Sequence, residues 1–172
     1  MNKNLLKAGA AFFALASLSA GNAYAVDVTN DASVTIVEPL TVTANDDMDF
    51  GKVVQPASGS ETVILKTDGS VDAASTAQTV SSSTAAGTLT ISGSSSETVA
   101  ISVTDDANVT GLTLGSFTSQ TFGGQTLSGG SLSGATLTGG SDTLTLGATL
   151  TVASTVTTGA LTPTFTVAVD YE

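Results

Sequence analysis

GALTPTFTVAVDYE, residues 159–172, closes the chain. Leu161, Pro163, Phe165, Val167, Val169 and Tyr171 take one set of alternate positions, and Thr162, Thr164, Thr166, Ala168 and Asp170 the other. Successive side chains of a strand point to opposite faces, so this stretch reads as a strand with one apolar and one mostly polar side. Such a strand needs a hydrogen-bonding neighbour on each edge. Whether both neighbours belong to the same chain is the question its position at the terminus raises.

The same alternation recurs upstream in short runs: Val34 and Ile36; Leu40, Val42 and Ala44; Val63 and Leu65; Leu89 and Ile91; Val99, Ile101 and Val103; Leu144 and Leu146; Leu150 and Val152. Turn signals stand between them at Asp68-Gly69, Ser92-Gly93 and Asp105-Asp106. Short period-two runs separated by such residues predict an all-β sandwich or barrel. Two segments are less regular. Residues 73–87, AASTAQTVSSSTAAG, predict a long loop or a weak edge. In residues 111–140, Leu112, Phe117, Phe122, Leu127, Leu132 and Leu137 recur every five residues. An odd period changes sides in a flat strand, so the tract is either a β-solenoid or a pair of Gly/Ser-rich hairpins. Its short length favours the hairpins.

At the other end, MNKNLLKAGAAFFALASLSAGNAYA has two lysines, an apolar stretch and the small-x-small triplet ending in Ala23 and Ala25. This is the layout of a cleaved secretory signal peptide, and its apolar run is shorter than the ~20 residues a membrane-spanning helix needs. Residues 1–25 are therefore predicted to be removed, leaving 147 of the 172 residues, with no stable membrane span. The remainder suits one domain. Its 15 acids face only Lys52 and Lys66, which argues against binding nucleic acid. There is no cysteine, so no disulfide contributes.

Catalytic chemistry finds little to work with. The chain has no histidine, cysteine or arginine, which removes most nucleophile–base pairs and predicts no catalytic residues. Asn45-Asp46-Asp47-Met48-Asp49-Phe50-Gly51 superficially resembles a calcium loop. It places Phe50 where such loops need glycine and Pro56 where they need glutamate. The expectation is a turn with solvated acids, with no metal and no cofactor, in a protein that is not an enzyme.

Tyr171 is the penultimate residue and Gly159 the fourteenth from the C-terminus, with the alternation between them. In these landmarks the terminus resembles that of fimbrial subunits of the chaperone–usher pathway. LTVTANDDMDFGKVV, residues 40–54, is in turn similar to the first core strand and turn of exported, pilin-like bacterial domains. Many such pilins carry a disulfide, which this chain cannot form. The resemblance implies an immunoglobulin-like sandwich that lacks its last strand. Gly159, Phe165, Val167, Val169 and Tyr171 would border an open groove, filled first by a periplasmic chaperone and then by the N-terminal strand of another copy, with an outer-membrane usher assembling the fibre at the cell surface.

Residues 26–38 suit the donor part. Val28, Ala32, Val34 and Ile36 fall on the apolar side of the alternation and Asp27, Thr29, Asp31, Ser33 and Thr35 on the other. Residues 39–172 would then be the sandwich domain, in a structural subunit supporting adhesion or biofilm. The alternative is a monomeric secreted binding or surface-coat protein whose sandwich is complete, with Val28 to Ile36 as its first strand.

Overall fold

The computed structural model describes residues 25–80 and 82–172. The signal-peptide reading, including Ala23, thus lies outside the described residues, and Ala25 is the first of them. The chain divides into two units, Met1–Thr35 and Ile36–Glu172. Of the first, residues 25–35 carry no helix or strand and are exposed.

The second unit is an antiparallel β-sandwich, as the alternation predicts. Its described residues form β1 (Thr41–Asp46), β2 (Lys52–Val53), β3 (Ser60–Leu65), β4 (Thr79–Val80), β5 (Gly87–Ser92), β6 (Thr98–Asp105), β7 (Leu112–Ser119), β8 (Ser131–Thr136), β9 (Ser141–Ala153) and β10 (Phe165–Tyr171). One sheet contains β1, β5, β9, β3 and β7, and the second runs β10-β6-β8. A two-stranded ribbon of β2 and β4 stands beside them.

The first sheet is organised by β9, whose 13 residues reach three partners. Leu146 lies opposite both Gly87 of β5 and Ser119 of β7, while Leu150 lies opposite both Val63 of β3 and Leu114 of β7. A residue paired on both sides has its two partners on opposite edges. Hence β5 and β3 follow one another along one edge of β9, and β7 covers the other. Alternate β9 residues Leu144, Leu146, Leu150 and Val152 point into the core, meeting Val99, Ile101, Val103 and Leu132 from the second sheet. Among the described residues the core holds no polar or charged side chain.

The five-residue tract folds as hairpin strands and not as a solenoid. Phe117, Phe122, Leu127, Leu132 and Leu137 are all buried, and Leu112 is half-buried. Bulges reconcile an odd period with strands. In β7 the register against β9 shifts between Gly115 and Thr118, with Ser116 at φ 47°. In β8 Ala135 faces Val99 but Leu132 faces Ile101, so one extra residue sits near Gly134, at φ 68°. Each extra residue returns the next apolar side chain to the core face.

Two sequence expectations need correction. The C-terminal strand begins at Phe165 and not at Leu161. Pro163 has no N–H to give a ladder. The residues around it bond a turn instead: Asn108 Nδ2 donates to the Thr162 carbonyl at 3.2 Å, and the Thr164 N–H to Asn108 Oδ1 at 2.9 Å. The alternating run at Val34 and Ile36 is likewise no strand, since residues 25–40 carry no strand assignment. The described residues of 73–87 include the two-residue edge β4, the Asp49–Ala85 bridge and Gly87, where β5 begins, in keeping with a long loop or a weak edge.

Candidate functional site

β1 hydrogen-bonds to β5 along one edge and ends its sheet there; β10 does the same against β6. Between these two strands the second unit carries a groove of about 1230 Å³. An ordinary small-ligand cleft measures ~300–1,000 Å³. Val42 and Ala44 of β1 form one wall, and Phe165 and Val167 of β10 the other. Leu89, Leu114, Leu150 and Val152 make the floor, with Met48, Phe50 and Val53 at one end.

Burial separates this side from the rest of the sandwich. Inward residues of β9 such as Leu144 and Leu146 are fully buried. On β10 the four inward residues, Phe165, Val167, Val169 and Tyr171, are only half-buried, although Val103, Ile101 and Val99, the partners of the last three across the ladder, are buried. All six residues of β1 are exposed, with Val42 41% accessible. Apolar side chains left half in water beside two unpaired strand edges are costly, because both backbone groups and side chains there lack partners of their own kind.

Local chemistry fixes the walls. Asn45 is an extra residue in β1, where Ala44 faces Leu89 but Asp46 faces Thr88. Beyond this bulge Asp46 Oδ2 accepts from the Thr88 hydroxyl at 2.7 Å, and Asp49 Oδ1 accepts from the Gly51 N–H at 2.7 Å. These acids therefore shape a turn, and no set of three or more potential metal ligands gathers among the described residues. On the opposite wall, Asp106 accepts from the hydroxyls of Thr164 at 2.7 Å and Thr166 at 2.8 Å. Those two bonds hold its carboxyl below the usual carboxylate range. Phe165, between them in sequence, sets its ring 5.5 Å from that of Phe117.

Val169 and Tyr171 do not line the groove; at the other end of β10 from Phe165, Tyr171 ties the strand to the residues ahead of β1. Its hydroxyl donates to the Glu38 carbonyl at 2.7 Å and accepts from the Ser94 N–H at 2.7 Å. The Glu38 N–H in turn donates to Ser94 Oγ at 2.6 Å.

The sequence-predicted residues fall out as follows. Phe165, Val167, Val169 and Tyr171 lie together on the inward face of β10. Gly159 is not in that strand; it lines the groove from the connection between β9 and β10, at φ 141°. Val28, Ala32, Val34 and Ile36 are all exposed, Val34 at 81% and Ile36 at 83%. The facing wall, Val42 and Ala44, and the buttress Asp106 were not foreseen. The first were legible only as strand residues and the second only as a turn signal.

The fold and groove define a class, that of β-sandwich domains with an apolar slot between two unpaired edges. Residues 40–171 match the family described as a domain of unknown function (DUF4402), and the chain belongs to that family. No curated protein and no solved structure matches it. Among the described residues no helix is long and apolar enough to cross a membrane.

Proposed function

We propose that the protein is a structural subunit of a surface fibre, in which the N-terminal segment of one copy fills the groove of the next. One observation carries the reading. A single chain holds both an apolar slot between two strands with free edges and an alternating segment, residues 26–36, with its apolar side chains exposed. An added strand would pair with β1 on one side and β10 on the other while its alternate side chains cover the floor. The lengths are compatible. At ~3.3 Å per residue β1 spans about 20 Å, and residues 26–36 extend to about 36 Å.

The energetics favour occupation. Each buried Val or Ile is worth ~1.5–3 kcal/mol and each net hydrogen bond ~0.5–1.5 kcal/mol. Because donor and acceptor are different surfaces, the contact is head-to-tail and repeats without closing. Export through the periplasm, a chaperone that protects the groove, an usher that orders assembly, and a role in adhesion or biofilm belong to the same proposal. These further parts rest on the resemblance to fimbrial subunits.

The test is a denaturing gel of the exported protein with and without boiling. Fibre subunits joined in this way give a ladder that collapses only on heating. A single monomer band in both lanes would instead point to a monomeric surface domain.

A further inference from the structure

Both backbone polar groups of Glu38 are engaged: its N–H with Ser94 Oγ and its carbonyl with the Tyr171 hydroxyl. The same hydroxyl accepts the Ser94 N–H, so three residues from distant parts of the sequence form one closed set of hydrogen bonds. Gly93 makes room for it, because a Cβ there would collide with the Tyr171 hydroxyl and come within 2.9 Å of Leu40 Cδ2. Glu38 is followed by Pro39, whose ring fixes φ. Glu38, two residues ahead of Leu40, is thus pinned to Ser94 and to Tyr171, the last residue of β10.

This pin lies just ahead of β1, the strand that walls the groove. For residues 26–36 to enter the slot beside β1 of the same molecule, the chain would reverse at Val37–Pro39 and lie between the start of β1 and the end of β10. The Tyr171 phenol reaches from the end of β10 to the Glu38 carbonyl, and a reversal that turns Glu38 breaks both of its bonds. We infer that the Glu38–Ser94–Tyr171 set is a latch against self-insertion, which reserves the groove for a second copy of this chain. The inference rests on the strand-donation reading above. It adds a reason why donation runs between molecules and not within one: an intramolecular donor has a large advantage in effective concentration and would otherwise win.

The test compares the exported wild-type chain with Tyr171→Phe, which keeps the ring and loses the hydroxyl, and Ser94→Ala, which frees the Glu38 N–H. Each is dissociated, refolded dilute, and offered a labelled synthetic peptide of residues 26–37. Wild type should capture the peptide and, when concentrated without it, form multimers. The variants should refold as monomers that capture at least about fivefold less peptide, the shift that one net hydrogen bond of ~1 kcal/mol brings. In those monomers residues 26–36 should also resist a non-specific protease. Variants that capture peptide like wild type, with residues 26–36 still cleaved, would overturn the latch and leave strand donation standing. A wild type that captures no peptide and forms no multimers would overturn both. If Tyr171→Phe fails to fold, Ser94→Ala decides, since that side chain is only half-buried in a turn.

Discussion

Asp106 holds Thr164 by two bonds, its carboxylate accepting from the threonine hydroxyl at 2.7 Å while its own N–H donates to the threonine carbonyl at 3.1 Å. The turn after β6 thereby fixes where β10 begins and how the Phe165 wall stands. Because the bonds favour the ionised form, the Asp106 carboxyl lies below its ordinary value. A depressed carboxylate contributes stability above its unfolded pKa, about 3.9, and loses it as pH falls through the folded value. Asp106→Ala should therefore lower the urea midpoint at neutral pH, and its difference from wild type should shrink below about pH 4. Asp68, also depressed through Ser70 and Lys66, is present in both proteins and cancels in the comparison.

Phe165→Ala should cost about 2 kcal/mol in urea unfolding. A fully buried phenylalanine loses ~3–5 kcal/mol on truncation, and this ring is half-buried against Phe117. Peptide binding should weaken with it, as the groove loses part of a wall. Phe165→Asp should be worse, placing a charge beside the core.

Val34→Asp should separate stability from assembly. Val34 is 81% accessible, so the variant monomer should unfold at the wild-type urea midpoint. It should give no heat-sensitive ladder of its own, yet its groove should still accept the donor of a wild-type copy. Normal ladders from this variant would remove Val34 from the donor face.

Within the five-residue tract the positions are unequal. Phe122 is fully buried and Leu112 half-buried. Phe122→Ala should cost ~3–5 kcal/mol, whereas Leu112→Ala should fall below the ~2–5 kcal/mol of a core leucine. Equal losses in chemical denaturation would show that the tract behaves as a uniform repeat.

These contrasts show which physics the sequence carries. Alternation at Val99, Ile101 and Val103 or at Leu144 and Leu146 is local, so those strands and the all-β class could be read directly. The start of β10 could not, because Pro163 lies in step with the alternation and only the hydrogen bonds from Asn108 show that it lies outside the ladder. The five-residue period looked foreign to a sandwich until Ser116 and Gly134 absorbed its odd residues. Least legible was the groove. That β1 and β10 each keep a free edge depends on the whole strand order, in which β9 takes three partners, and no short stretch encodes it. Residues on β10 were named from a resemblance, and Val42 and Ala44 across from them had no such guide.

The three-partner arrangement of β9 also sets the order in which the molecule comes apart. In β9, Leu146 and residues 149–152 have paired strands on both sides, so releasing their amides to solvent requires opening nearly the whole sheet. Those of β1 and β10 need only one ladder to separate, beside a slot already open to water. In hydrogen exchange the centre of β9 should follow global unfolding, and the two groove strands should exchange first, through partial opening. A donor strand in the slot would slow exchange in β1 and β10 together and leave β9 almost unchanged, so occupancy would be visible as protection confined to the least stable edge of the fold.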